Sequence, residues 1–214
     1  MRNQNQPVAV EGYPFIALFA FITLVFSLLD WSFLALIFLF LTLFTVYFFR
    51  NPDRTVPQGE DIVVAPADGK IVYVGKVNED RFLHGEVYKV SIFMSVFNVH
   101  VNRVPVSGKV VDQFYTKGNF MNASLDKAST ENEQAGMVIE DKKKNRFLVV
   151  QIAGLVARRI VTYPIIGEML EQGQRYGLIR FGSRVDVYMP VEAQLQVSLG
   201  DRCVGGETVL SRLG

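Results

Sequence analysis

From Gly12 to Leu29 the chain carries no charged residue, and from Trp31 to Phe49 it carries none again; Asp30 alone stands between the two runs. No other feature of the sequence narrows the fold as much. A helix that crosses the hydrocarbon of a bilayer needs ~20 apolar residues, within a range of roughly 17–25. The apolar segments 13–29 and 31–49 meet that range as two short spans with Asp30-Trp31 at the turn. A shallow hairpin that dips into the bilayer without crossing fits equally. Ten phenylalanines lie in these runs. No polar helix face separates them, as the buried hairpin of a soluble core would require. A cleavable signal peptide fits poorly, because the apolar stretch is doubled and Arg2 lies far from it. The flanks set the orientation. Arg2 precedes the first run, Arg50 and Arg54 follow the second, and the turn offers only Asp30. The positive-inside rule then places both ends, and everything after Arg50, on the cytoplasmic side of the cell (inner) membrane. A single cysteine, Cys203, agrees with that reducing compartment.

Residues 55–214 read differently. Short segments rich in Val, Ile and Tyr are separated by Gly, Pro, Asp and Asn, which predicts strands. The candidates are Ile62–Val64, Gly69–Val74, Val87–Phe93, Lys109–Tyr115, Arg146–Ile152, Arg159–Tyr163, Val185–Met189 and Gln194–Ser198. The expected fold class is mainly β: an antiparallel sandwich or barrel-like catalytic domain with an N-terminal transmembrane helical hairpin. Residues 1–54 form the membrane anchor and 55–214 the β-rich domain. The polar segment Asn122–Gly136 reads as a surface loop or lid. Lys142-Lys143-Lys144-Asn145-Arg146 reads as a basic turn, either a solvated hairpin tip or a contact for anionic headgroups. "PADGKIV" (Pro66–Val72) and "PVSGKVV" (Pro105–Val111) share a pattern, each a turn leading into a strand.

Little in this chain can do chemistry. The net charge of +1 gives no general attraction to nucleic acid. One cysteine excludes an internal disulfide, and two histidines, His84 and His100, leave few ligands for a zinc centre. Gly182-Ser183 stands at the head of an alternating strand. Glycine there marks a bulge or a close backbone approach, and the serine could be ordinary. A hydrolase elbow is excluded, since Phe181-Gly182-Ser183-Arg184-Val185 lacks the second glycine. His100 lies among alternating apolar residues and precedes the polar pair Asn102-Arg103. It reads as a half-buried histidine or as a general acid or base. Asp68 sits in a Pro-x-Asp-Gly turn and reads first as a turn-former. His84, before Gly-Glu, reads as a surface turn. Together Asp68, His100 and Ser183 are the ingredients of an activated nucleophile. Composition names no substrate for them. A membrane-anchored serine hydrolase remains open. So does a non-enzymatic adaptor with Ser198–Leu210 as a lipoyl-like hairpin, although that segment lacks the lysine a carrier would modify.

Five blocks, taken in order, resemble the phosphatidylserine decarboxylase family, in particular its short bacterial and archaeal-type members. They are "FFRNPDR" (48–54), "VVAPADGKIV" (63–72), "SVFNVHVNRVP" (95–105), "QIAGLVARRIV" (151–161) and "GLIRFGSRVDVYMP" (177–190). The resemblance implies a self-processing, pyruvoyl-dependent carboxy-lyase that converts phosphatidylserine to phosphatidylethanolamine. It implies that Ser183 attacks the carbonyl of Gly182, and that elimination and hydrolysis leave a pyruvoyl group at position 183. The products are a β chain, 1–182, and an α chain, 183–214, which stay associated. His100 is then the group that activates Ser183 and the candidate proton donor in decarboxylation, and Asp68 orients His100. The implied cofactor is the covalent pyruvoyl group from Ser183, with no metal and no pyridoxal phosphate. The implied partners are phosphatidylserine in the bilayer and further copies of the chain in a homo-oligomer. An archaetidylserine-like ether lipid presents the same serine headgroup. Longer family members carry Thr or Ser where Arg184 stands. They often carry a second histidine near the position of Arg103, so one histidine serves both steps here, or Arg103 or a water takes one.

Overall fold

A computed structural model gives the fold and describes residues 6–59, 61–119, 123, 131–154, 159–180 and 182–214. The chain divides into two compact units, Met1–Asp53 and Arg54–Gly214.

The first unit is a helical hairpin of α1 (Tyr13–Leu28) and α2 (Ser32–Phe48). Pro14 opens α1, where a missing N–H costs nothing. Asp30 takes a φ of +60° in the turn, a conformation that aspartate tolerates better than most residues. Thr23, Thr42 and Thr45 donate their hydroxyls to the carbonyls of Phe19, Phe38 and Leu41 at 2.7–2.8 Å, so no polar group is left facing outward from these positions. The helices meet through Phe19 and Phe26 against Phe38, with ring centroids 6.2 and 5.5 Å apart. Large apolar side chains such as Phe21 and Phe33 are exposed. Val10–Leu28, 19 residues, is long and apolar enough to cross a membrane. The 17 residues of Ser32–Phe48 form a shorter apolar helix, at the lower end of the spanning range. Gly12 is required by contact: a Cβ there would lie 2.6 Å from the Phe49 ring.

The second unit is antiparallel throughout its strand ladders. Its first seven strands are β1 (Ile62–Val64), β2 (Gly69–Glu79), β3 (Gly85–Met94), β4 (Val101–Arg103), β5 (Gly108–Thr116), β6 (Gln134–Glu140) and β7 (Arg146–Ala153). There follow β8 (Ile160–Thr162), β9 (Met169–Leu170), β10 (Arg175–Ile179), β11 (Ser183–Pro190), β12 (Gln194–Leu195), β13 (Arg202–Cys203) and β14 (Val209–Arg212). Eight of them form one sheet in the order β13-β2-β3-β11-β7-β6-β5-β9, curled into a half-barrel. Two three-stranded sheets, β1-β14-β12 and β4-β10-β8, complete the unit. In β11, Val185, Val187 and Met189 join the main core with Val90, Ile92 and Val149. The opposite face of the large sheet is covered as well, by a second cluster around Val138, Leu148, Val150 and Ile152. A strand buried on both faces has no reason to alternate, which is why Phe147–Ala153 of β7 is apolar but for Gln151, whose buried amide is hydrogen-bonded.

The echo between Pro66–Val72 and Pro105–Val111 is structural. Gly69 and Gly108 each open a strand. A Cβ would lie 2.2 Å from the Phe93 carbonyl oxygen at the first, and 2.4 Å from that of Glu140 at the second. Both strands slip register at the same place, between Ile71 and Tyr73 and between Val110 and Asp112. The Ile71 N–H donates to Asp201 and the Gly200 N–H to the Ile71 carbonyl, at 2.8 and 2.9 Å. Val110 repeats this with Glu168 and Gly167, at 2.9 and 2.8 Å. Gly200 and Gly167 share a φ near +95°. The domain is thus built on two copies of one β unit.

Several expectations change. β4, β6, β9, β10, β13 and β14 lie outside the expected strands. Residues 134–136, read as loop, begin β6; most of the rest of the expected 122–136 loop lies outside the described residues. Ser198–Leu210 is not a hairpin folded on itself, since β13 pairs with β2 while β14 pairs with β1 and β12. The Lys142–Arg146 turn is a tip between β6 and β7. There Lys144 and Arg146 both approach the Glu140 carboxylate, and Lys144 holds that carboxyl below its usual range.

Candidate active site

Register brings the chosen residues to one end of the large sheet. Cys203 pairs with Gly69, Lys70 with Phe93, Met94 with Ser183, and Ser183 with Ala153. Cys203, Gly69, Met94, Ser183 and Ala153 therefore form the last row across five strands. One residue beyond that row stand Asp68, Gly182 and Gly154, each where its strand gives way to loop. His100 lies in the connection from β3 to β4.

Ser183 faces the main core, on the same side of β11 as Val185 and Val187. It is fully buried, and its hydroxyl has no hydrogen-bond partner among the described residues. An unmatched buried hydroxyl is costly, on the order of 1–3 kcal/mol, so its presence needs a reason. Gly182, just before it, has a φ of +61°. A Cβ there would meet none of the described residues within 4 Å, so the backbone conformation itself is what calls for glycine. On the far side, Gly154 is pressed against Gly182: a Cβ on Gly154 would lie 1.8 Å from the Gly182 carbonyl oxygen.

His100 is 2% exposed. Its Nδ1 lies 3.0 Å from the Asn98 carbonyl oxygen. A carbonyl only accepts, so Nδ1 carries the proton and Nε2 holds the lone pair of the neutral ring. The loop is fixed at its start, where the Asn98 side chain accepts from the N–H and hydroxyl of Ser95, both at 2.8 Å. It is fixed at its end by a buried amide relay. Thr162 donates to Gln151 and Gln151 to Asn102, each at 2.7 Å, and Asn102 reaches the Met94 sulfur at 3.6 Å. Asn102 follows His100 by two residues, and Met94 is the cross-strand neighbour of Ser183.

Asp68 is held elsewhere than expected. Its carboxylate accepts from Arg54 at 2.8 and 3.0 Å and from the Gly205 N–H at 2.8 Å. Among the described residues, the hydrogen bonds to the Asp68 carboxylate are these: two from Arg54 and one from Gly205. Arg54, read from sequence as a flanking charge of the membrane anchor, is committed to this ion pair. The second β unit offers an internal comparison. Ser107 occupies the position of Asp68, and the Gln172 N–H donates to its hydroxyl at 2.9 Å. A serine is enough to close the turn, so the charge at Asp68 exceeds what the fold needs.

The residues that sequence reasoning missed are Gly154, Arg54 and the pair Arg184–Asp186. Arg184 and Asp186, both buried, make a bidentate contact at 2.8 and 3.1 Å, and Lys89 adds a third contact to Asp186 at 3.1 Å. The alternation of β11 was a signal, because it places charges at two successive positions of one face. The Cys203 thiol is pushed up to about 12, chiefly by burial and then by the Asp68 charge, so it stays protonated. Among the described residues no three His, Cys, Asp or Glu side chains gather as a metal site. A cavity of about 410 Å³ lined by Val56, Ser107, Lys142, Gln172 and their neighbours lies at the other end of β6 and β7 from this row.

An apolar helix of membrane-spanning length, joined to a β-sheet domain that encloses a serine and an imidazole, defines a membrane-associated enzyme. A family model described as phosphatidylserine decarboxylase matches residues 41–211. The chain is 65% identical over 213 residues to the phosphatidylserine decarboxylase proenzyme of Syntrophotalea carbinolica, covering all of both chains. It is 58% identical over 213 residues to the protein of that name from Geotalea uraniireducens, and 53% identical over 218 residues to that from Geobacter sulfurreducens, again covering all of each chain. The chain belongs to the phosphatidylserine decarboxylase family.

Proposed function

We propose that this chain is the proenzyme of a phosphatidylserine decarboxylase and that it makes its own reactive group at the Gly182–Ser183 bond. The observation that carries this reading is the buried Ser183 hydroxyl, without a described partner, directly behind a left-handed glycine. The hydroxyl oxygen adds to the Gly182 carbonyl carbon and the C–N bond breaks. The hydroxyl proton ends on the freed amine, and the amide has become an ester. Loss of the Ser183 α-proton then expels the Gly182 carboxylate. Water hydrolyses the resulting enamine and releases ammonia, leaving a pyruvoyl end at position 183. His100 takes the first proton, its lone pair being on Nε2. Asp68, anchored by Arg54 and Gly205, supports the positive charge His100 then gains.

The site fits such a group, since its atoms are those of Ser183 and its place is an enclosed row end. When present, it supplies a ketone carbonyl that draws off the electron pair left as the substrate carboxylate departs as carbon dioxide. The chain's own residues enclose the row end against water, and His100 returns a proton to the product. The N-terminal hairpin keeps the domain at a bilayer that holds the lipid substrate, on the cytoplasmic side by its flanking arginines. The two chains remain together as one protein.

Intact-mass analysis tests the reading. The purified protein is expected as chains 1–182 and 183–214, the smaller blocked at its N-terminus and modified by borohydride. A single uncut chain with full decarboxylase activity would sink it. Asp68→Asn keeps an oxygen for Gly205 and Arg54 but removes the charge. It should slow cutting by about 100-fold or more while the protein stays folded. Cutting at the wild-type rate would assign Asp68 to the turn alone.

A further inference from the structure

The backbone at Gly154 lies against the one carbonyl that the proposed self-cleavage must attack. A Cβ on Gly154 would fall 1.8 Å from the Gly182 oxygen and 2.9 Å from the Gly182 carbonyl carbon. Real Cβ atoms do not approach so closely, so any residue but glycine forces that carbonyl to move. The strand geometry leaves it little room on the Ser183 side. Ser183 is held in the ladder by Met94 on one side and Ala153 on the other, and Ala153 is the residue just before Gly154. The Ala153 carbonyl is itself fixed by the buried Asn132 amide at 2.7 Å, and its N–H donates to Glu133 at 2.9 Å. Gly154 is therefore a fixed wall, and the carbonyl rests on it.

We propose that Gly154 is a positioning residue for self-processing: its bare Cα sets where the Gly182 carbonyl sits relative to the Ser183 hydroxyl. The attack needs the hydroxyl oxygen to meet the carbonyl carbon along a narrow approach, and a displacement on the order of 1 Å can cost about 100-fold. A glycine hydrogen leaves the oxygen in place and makes only a weak C–H contact with it. A methyl would turn it. The inference rests on the reading of Gly182–Ser183 as the bond that is cut.

The test is the rate of cutting of Gly154→Ala, followed by intact mass on freshly purified precursor. A fall of about 100-fold or more is expected. Hydroxylamine, which cleaves esters and spares amides, locates the block. The variant should accumulate uncut chain that resists hydroxylamine, because the ester never forms. Accumulation of a hydroxylamine-sensitive chain would place the block after the attack and overturn the proposal, as would cutting at the wild-type rate. Thermal melting of Ser183→Ala with and without Gly154→Ala reads the cost of the methyl to the fold, apart from the chemistry. If Gly154→Ala does not fold, Gly154→Ala with Ala123→Gly is the second variant. The Ala123 methyl is 3.4 Å from where the new one would sit, and removing it lets the new one swing aside. That pair should fold and recover part of the cutting; failure to fold would show that glycine serves the fold alone and overturn the proposal. A wild-type chain that is never cut would instead remove the underlying reading, whatever Gly154 does.

Discussion

Ser183→Ala is expected to remain one 24.1 kDa chain and to lose decarboxylase activity by at least ~10⁴-fold. In the proposed reaction the hydroxyl oxygen is the attacking atom and leaves with the Gly182 carboxylate, while the serine carbon skeleton becomes the pyruvoyl group and takes its ketone oxygen from water, so no other group can substitute for the serine. Folding should survive. The hydroxyl is buried without a described partner, and its removal takes away an unmatched polar group from the core face of β11. The melting temperature of Ser183→Ala should therefore equal or exceed that of the unprocessed wild-type chain. The two readouts together are diagnostic. A fold intact or strengthened, with chemistry abolished, fits a group kept for reaction at a cost in stability. A variant that still separates into two chains would place the cut elsewhere.

Asp186→Ala should have the largest effect on stability. Arg184 is 2% exposed and Asp186 is fully buried. Removing the carboxylate takes from the buried guanidinium, and from the neighbouring Lys89, the counterion they share at Asp186. Breaking such a pair costs about 3–5 kcal/mol, a large share of the ~5–15 kcal/mol that holds a domain together. A drop in melting temperature of about 10 °C or more is the expected result. Asp186→Ala with Arg184→Met should recover much of it, because the stranded charge goes too. A single variant that melts within a degree or two of wild type would show that the cluster contributes nothing net. The cluster also bears on the site, since Arg184 is the second residue beyond the bond proposed to be cut. Arg184 donates to the Ala123 carbonyl at 3.1 Å and Lys89 reaches Asp186 from β3 at 3.1 Å, contacts that tie the strand down one position from Ser183.

Much of this was legible in the sequence because it rests on local physics. The helical hairpin follows from uninterrupted apolar composition, and the strands that were expected are those whose Val, Ile and Tyr lie in short runs. β10 escaped because its glycine, Gly177, looks like a strand breaker. In the fold it is required, since a Cβ would lie 2.1 Å from the Val161 carbonyl oxygen. β6 escaped because it opens Gln134-Ala135-Gly136, and Gly136 is there to receive the edge of the Phe114 ring. The Pro-x-x-Gly-Lys echo was visible, while its second element was not. Gly167 and Gly200, with their acidic neighbours Glu168 and Asp201, match in conformation far more than in sequence. At the proposed site, residue types singled out Ser183, His100 and Asp68 as candidates. The partners did not announce themselves, because Arg54–Asp68 and Gly154–Gly182 are contacts made only by tertiary register.

The position of Ser183 as the first residue of β11 has a thermodynamic consequence. The proposed cut before it breaks no rung of the ladder, yet β11 is an interior strand of the large sheet, between β3 and β7. The residues beyond the cut also supply β12, β13 and β14. Before the cut, unfolding is a unimolecular event that the chain can reverse by itself. After it, the same loss of structure releases two separate molecules, and recovery becomes second order in concentration. Dilution, which is indifferent to the precursor, then works against the mature protein. The lifetime of the working enzyme is set by how slowly the sheet opens, and maturation is a step that can be taken only from the folded state.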